Sequence, residues 1–317
     1  MKALITGICG FVGGYLYQHL TERGMTVCGT RLPNEAVPDF IDKQTDIRVV
    51  DLLDKETLST AIEEWQPDVI YHLAAQSSVA LSWKNPALTF NVNVNGTLHL
   101  LDAVRQHNLN CRILLIGTSE GYGKVSPEDM PIGEDKLTRP GNPYAVSKVT
   151  QEMIGKLYAE AYQMEIVMVR AFNHTGPRQT PTFVIPDFAK RLAMMEKGQM
   201  DPVLLVGNLD AIRDFSDVRD IVRGYSLLME KGTSGEVYNI GSGQGYAIKD
   251  LLDKLLSYVS INVTVKPDQE RMRPSDVPVF ICDNSKISRD IQWVPEISIE
   301  RTLKDVLDYW RIAGESI

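Results

Sequence analysis

Tyr144 and Lys148 stand four residues apart in the segment Gly141-Asn142-Pro143-Tyr144-Ala145-Val146-Ser147-Lys148. Residues at this spacing share one helix face, which places a phenol beside an ammonium. The local sequence predicts that helix: Asn142 suits the N-cap, and Pro143 suits the first helical position, where no backbone donor is needed. A free tyrosine has a pKa of about 10. A cation a few ångströms away favours the phenolate and draws the group toward proton transfer at neutral pH. Read alone, the pair fits an amphipathic surface helix better, because this spacing recurs by chance, so its chemistry depends on what surrounds it.

The elements that must position the pair follow a regular rhythm. Predicted strands at Lys2–Thr6, Thr26–Thr30, Asp46–Val50, Val69–His72, Arg112–Gly117 and Glu165–Arg170 alternate with predicted helices at Phe11–Arg23, Lys55–Trp65, Pro86–Asn108 and Pro143–Tyr162. Strands separated by helices of this length imply βαβ units and a parallel sheet covered on both faces, a doubly wound α/β fold of Rossmann type. Ligands of such sheets bind beyond the C-terminal strand ends. After Arg170 the rhythm breaks at Pro177, Pro181, Pro186 and Pro202. Residues 1–170 are therefore expected to form a dinucleotide-binding domain. Residues 171–317 are expected to form mainly a smaller substrate domain, with helices such as Phe183–Lys197 and Ile248–Tyr258. Segments near 214–240, the helix Asp217–Lys231 and the strand Val237–Ile240, return to the main sheet.

The first strand runs into Thr6-Gly7-Ile8-Cys9-Gly10-Phe11-Val12-Gly13 and opens a helix. Glycines there permit a tight turn and close backbone approach to a pyrophosphate facing the helix N-terminus. The spacing is G-x-x-G-x-x-G, and its place inside a βαβ unit supplies the context for dinucleotide binding. The second strand ends Val27-Cys28-Gly29-Thr30-Arg31, with no acidic residue for a ribose 2′-hydroxyl. Arg31 can instead pair with a 2′-phosphate. NADP(H) is the favoured cofactor and NAD(H) the alternative, since Arg31 also fits a solvated loop position.

These residues together resemble the extended short-chain dehydrogenase/reductase family, in its nucleotide-sugar branch, over nearly the whole chain. The resemblance runs through Thr6–Gly13, Asp51-Leu52, His72-Leu73-Ala74-Ala75-Gln76, Asn91-Val92-Asn93-Val94-Asn95-Gly96-Thr97 and Gly117-Thr118-Ser119-Glu120-Gly121-Tyr122-Gly123 to the Tyr144/Lys148 pair. It implies that Gly7, Gly10, Phe11, Val12 and Gly13 meet the cofactor, that Asp51 and Leu52 hold its adenine, and that Leu73, Ala74 and Ala75 line its ribose and phosphate side. It also implies catalytic roles: Thr118 polarises a substrate carbonyl, Tyr144 exchanges the proton, and Lys148 reaches the nicotinamide ribose and lowers the phenol's pKa. Glu120 fits the proton-transferring glutamate of the family's 4,6-dehydratases, or it merely holds a sugar hydroxyl or a structural partner. Asn91–Asn95 holds a helix-start residue or a proton-relay group, or has a mere capping role.

Beyond the sixth strand, Ala171-Phe172-Asn173-His174-Thr175-Gly176-Pro177-Arg178-Gln179 is similar to the GDP-4-dehydro-6-deoxy-D-mannose reductases. The arginine-rich continuation of GDP-mannose 4,6-dehydratases is missing after Asn173-His174. By this resemblance Asn173 contacts the sugar diphosphate and Lys190 the nucleotide, while Arg213 and Arg273 bind the diphosphate, for which a planar guanidinium fork is well shaped. The implied reaction is NADPH-dependent reduction of a 4-keto GDP-sugar to GDP-D-rhamnose. The alternatives are a GDP-mannose 4,6-dehydratase, a nucleotide-sugar C4 epimerase and a non-catalytic dinucleotide sensor.

At 317 residues, 44 % hydrophobic and 23 % charged, the chain has globular composition. Its net charge of −8 argues against nucleic acid. No apolar run is long enough for a membrane span, and the N-terminus shows no signal-peptide pattern. Four scattered cysteines and five histidines form no metal-ligand spacing, and they fit buried thiols in a cytoplasmic protein. The resemblance further implies a homodimer, packed through the Pro86–Asn108 and Pro143–Tyr162 helices.

Overall fold

The computed structural model describes residues 1–271 and 277–313. Six strands follow the expected alternation: β1 (Lys2–Thr6), β2 (Thr26–Arg31), β3 (Asp46–Val49), β4 (Val69–His72), β5 (Arg112–Ile116) and β6 (Glu165–Ala171). With the strand Val237–Ile240 they make one seven-stranded sheet in the order Val237–Ile240, β6, β5, β4, β1, β2, β3. Every pairing in it is parallel. The chain thus winds outward twice from β1, and the order reverses between β1 and β4, the place where doubly wound sheets bind ligands. Register levels the strand ends: Thr6 pairs with both Thr30 and His72, and His72 pairs with Leu115. The residues that follow them form a single rim.

The two faces of the sheet carry separate cores. One packs helices Phe11–Glu22 and Val218–Lys231 through Leu16, Leu20, Ile221, Tyr225 and Leu228. The other packs Lys55–Trp65 and Gly96–Gln106 through Leu58, Ile62, Leu100 and Val104. Strands buried on both faces read as continuous apolar runs, which is why they were visible in the sequence. A third core joins helices Val184–Glu196, Ile248–Ser257 and Ile299–Ala313.

Beside it, a small sheet centres on Ile212–Asp217, which pairs with Gly245–Ala247, Val279–Phe280 and Asn173–Thr175. The strand Val203–Val206 pairs with Thr264–Pro267. These pieces are too short for a period-two pattern to reveal them.

The expected helix Pro86–Asn108 is not continuous. It runs as Pro86–Phe90, a π-helical turn over Asn91–Asn95, and Gly96–Gln106. Asparagine competes for backbone hydrogen bonds and β-branched valine is stiff, so this stretch resists α geometry. The hydroxyl of Thr97 bonds the Asn93 carbonyl at 2.7 Å. The helix Pro143–Tyr162 forms as expected: Asn142 Oδ1 accepts from the Ala145 amide at 2.8 Å, and Pro143 occupies the first turn. No helix among the described residues is long and apolar enough to cross a membrane.

Candidate active site

The rim opens at the glycine turn. Gly7 adopts φ +72°, and its amide and that of Ile8 both donate to the Thr30 carbonyl at 3.1 Å. A Cβ on Gly7 would lie 3.1 Å from Ala74 Cα. One on Gly13 would strike the Gly7 carbonyl oxygen and lie 2.8 Å from that of Ile8. These glycines therefore let helix Phe11–Glu22 close onto β1 and β4. Gly10, extended at the N-cap, brings no side-chain acceptor to the helix's first amides. With Phe11 and Val12 as the first helical residues, the turn presents unsatisfied donors and positive dipole, which fits a pyrophosphate.

Arg31 lies at the end of β2. Its Nη1 donates to the carbonyls of Leu32 at 3.1 Å, Pro33 at 3.3 Å and Glu35 at 2.9 Å, so one edge of the guanidinium shapes the loop that follows. Asp51 is exposed and accepts from the Leu53 amide at 2.9 Å. Leu52 is buried against Gly96, with its carbonyl bonded to His99 Nδ1 at 2.8 Å. Leu73, Ala74 and Ala75 continue from β4, and the Ala74 amide donates to Thr6 Oγ1 at 3.1 Å. The positions expected at the cofactor thus occupy the C-terminal rim of β1 to β4.

Thr118 and Tyr144 meet across the rim of β5. Thr118 caps a 3₁₀ turn over Ser119–Tyr122, its hydroxyl accepting from the Glu120 amide at 3.2 Å. Burial pushes the Tyr144 phenol up to about 12; the Thr118 hydroxyl draws it down and the Glu120 charge pushes it up. Tyr144 is therefore a protonated donor at neutral pH. Lys148 is buried, which lowers its pKa to about 7, and Nζ donates to Gln151 Oε1 at 2.6 Å. The expectation that Lys148 depresses the phenol is corrected here. The ammonium turns along its own helix toward Gln151, and desolvation dominates both groups.

Glu120 is exposed on the 3₁₀ turn, and Oε2 accepts from Asn142 Nδ2 at 3.2 Å. The turn is anchored from behind. Tyr122, fully buried, donates to Asn239 Oδ1 at 2.7 Å, and the Arg170 guanidinium lies 4.7 Å over its ring. Arg170 in turn pairs with buried Glu152, one residue beyond Gln151.

A buried polar chain that sequence reasoning missed connects the two halves of the rim. His72 is neutral, since burial and the Lys148 charge lower its pKa to about 3. Its Nδ1 lies 2.9 Å from Thr6 Oγ1 and its Nε2 3.1 Å from Thr97 Oγ1. Thr97 donates to the Asn93 carbonyl, so it must accept from His72 Nε2–H. Nδ1 then accepts from the Thr6 hydroxyl, whose oxygen takes the Ala74 amide. Asn93, in the π turn, accepts from the Gln76 amide at 2.8 Å and donates to Ser147 Oγ at 2.9 Å. Ser147 donates to the Tyr144 carbonyl at 2.7 Å. Of the alternatives open for Asn91–Asn95, the structure thus makes Asn93 a brace between the β4 loop and the helix of Tyr144. Polar residues in an otherwise apolar strand end were the available signal.

On the far side, Asn173 pairs with Phe215, two residues from Arg213 on the adjacent strand. Strand alternation puts Asn173, Phe215 and Arg213 on one face of the small sheet. Arg213 Nη1 donates to the Ile212 carbonyl at 2.9 Å. His174 stacks on Phe11 with ring centroids 6.3 Å apart, which joins this sheet to the glycine turn. Lys190 is placed differently from expectation: its ammonium lies 5.2 Å from the Trp310 ring centroid. That contact with the C-terminal helix gives it a packing role. Arg273 lies outside the described residues.

The family model described as GDP-mannose 4,6 dehydratase matches residues 4–306. A GDP-6-deoxy-D-mannose reductase of Pseudomonas aeruginosa is 31 % identical over 98 % of this chain and 97 % of its own. A GDP-mannose 4,6-dehydratase of Yersinia enterocolitica is 30 % identical over 96 % of this chain and 92 % of its own. The solved structure of RMD from Pseudomonas aeruginosa complexed with NADPH has a TM-score of 0.89 and 31 % identity, covering 98 % of this chain and 99 % of that one. The chain belongs to the GDP-mannose 4,6-dehydratase family.

Proposed function

We propose that the protein is an NADPH-dependent 4-ketoreductase that converts GDP-4-dehydro-6-deoxy-D-mannose to GDP-D-rhamnose. The observation that carries this reading is the placement of Thr118, after β5, within reach of the Tyr144 phenol, which stays protonated. When bound, NADPH supplies a hydride to the sugar's C4. Thr118 polarises the C4 carbonyl by hydrogen bonding, and Tyr144 delivers its proton to the oxygen as negative charge develops there. Lys148, one helical turn beyond Tyr144, would hold the nicotinamide ribose. Gly7, Gly10, Phe11, Val12 and Gly13 would hold the pyrophosphate, Asp51, Leu52, Leu73, Ala74 and Ala75 the adenosine and ribose side, and Arg31 the 2′-phosphate. Asn173 and Arg213, together with Arg273 from the sequence, would bind the GDP-sugar. Residues 1–170 would bind the cofactor and the remainder mainly the substrate.

A dehydratase is the second reading, and Glu120 favours it as a carboxylate whose charge acts on the Tyr144 phenol. Incubation with GDP-mannose alone separates the two, because a dehydratase makes the keto sugar without added reductant. The proposed reductase leaves GDP-mannose untouched and turns over only with keto sugar and NADPH.

A homodimer is the proposed assembly. Leu88, Val146, Met153 and Leu157 are exposed on the helices expected to pack between copies. Val146, Met153 and Leu157 share one face of Pro143–Tyr162. The four cysteines are all free, which supports a reducing cytoplasmic setting. Light scattering of the purified protein tests the dimer.

A further inference from the structure

Lys148 is 4 % exposed, and among the described residues no carboxylate pairs with it. Burying an ammonium without compensation is costly, so whatever accepts its protons controls where it sits and whether it stays charged. The acceptor is Gln151, itself 1 % exposed, with Oε1 at 2.6 Å from Nζ. Gln151 Nε2 faces the Ile116 carbonyl at 3.5 Å, at the end of β5 and two residues before Thr118. That second contact is weak, but it fixes the sense of the amide. A flipped amide would set donor against ammonium and oxygen against carbonyl.

We propose that Gln151 is a positioning residue for this active site, holding the Lys148 ammonium charged one helical turn from Tyr144 and tying it to the strand that leads to Thr118. A neutral acceptor holds the cation without cancelling its charge, as a carboxylate would. The other groups facing Lys148 leave this role to Gln151. Tyr144 lies one helical turn back, and His72 at the end of β4 stays neutral. Glu120, on the turn after β5, is held by Asn142. Glu152 closes onto Arg170 and Lys156.

The inference rests on the reductase reading, and the test separates the two. In protein carrying ¹³C-lysine, the ¹³Cε resonance of Lys148, assigned by its loss in Lys148→Met, is titrated without turnover. Gln151→Leu is expected to lower the Lys148 midpoint by about one pH unit, a tenfold change in its protonation equilibrium. Gln151→Glu is expected to raise it by at least as much. The alkaline limb of kcat/KM should follow in the same two directions. A midpoint unmoved in both variants overturns the proposal, as does loss of thermal stability without displacement of the limb. If Gln151→Leu does not fold, the upward shift in Gln151→Glu decides alone. Absence of ketoreductase turnover in the unaltered protein counts against the reductase reading, while the resonance still reports on Gln151.

Discussion

The side-chain amide of Asn142 donates to Glu120 Oε2 at 3.2 Å, while its oxygen caps the helix that carries Tyr144. One residue therefore sets both the start of the catalytic helix and the position of the carboxylate next to it. A tethered, hydrogen-bonded carboxylate suits a ligand for a sugar hydroxyl better than a free base. Asn142→Ser separates the two roles, since serine caps helices well but lacks the amide donor. Its thermal midpoint should stay near that of the unaltered protein, while KM for the keto sugar rises several-fold. Asn142→Ala should lose about 0.5–2 kcal/mol of stability in addition. Equal destabilisation by both variants, with KM unchanged, would refute the tether.

Tyr144→Phe removes the proton donor and leaves the ring. The rate should fall on the order of 10²–10⁴-fold, the usual contribution of a positioned acid. NADPH binding, followed by quenching of intrinsic fluorescence, should persist. Unchanged turnover would remove Tyr144 from the mechanism.

Lys148 is stabilising for function and costly for the fold. Its native pKa, lowered to about 7, lies below the 10.5 of an unperturbed lysine, so the unfolded chain binds more protons between those values. The full penalty is therefore present below about pH 7 and fades as pH rises toward about 10.5. Lys148→Met should raise the thermal midpoint at neutral pH, by up to a few kcal/mol in stability, and abolish turnover. The gain should shrink in alkaline buffer. Calorimetry across pH checks the sign, and a variant less stable at neutral pH would contradict it.

Arg31 donates with Nη1 to the loop carbonyls of Leu32, Pro33 and Glu35. Arg31→Ala should loosen that loop for either cofactor, so the informative quantity is the NADPH to NADH ratio of kcat/KM. Loss of a charge-assisted bond to the 2′-phosphate predicts a fall in that ratio of about tenfold or more. An unchanged ratio would assign Arg31 to the loop alone.

The main sheet and the helix of Tyr144 were legible because their causes are local. Runs such as Ala3-Leu4-Ile5 and Ile113-Leu114-Leu115 mark strands buried on both faces, and Asn142-Pro143 marks a helix start. What was not legible depends on contacts between distant segments. Asn93 looks like a capping residue until the β4 loop and Ser147 close around it. Lys190 looks available for a nucleotide until Trp310 arrives from the C-terminal helix. Gln151 carries no motif, and its role appears only when burial turns Lys148 toward it. The phenol's raised pKa was misjudged for the same reason: charge spacing along a helix shows the cation but not the desolvation.

Direct transfer of hydride to the sugar is the central claim, and isotope transfer measures it. The protein is incubated with GDP-4-dehydro-6-deoxy-D-mannose and NADPH deuterated at the nicotinamide C4 position, and the sugar nucleotide is examined by NMR and mass spectrometry. The account predicts a GDP-6-deoxyhexose carrying one deuterium at sugar C4, with the label coming from one face of the nicotinamide only. A keto sugar recovered unreduced and unlabelled, from protein that turns over GDP-mannose without added reductant, would contradict it.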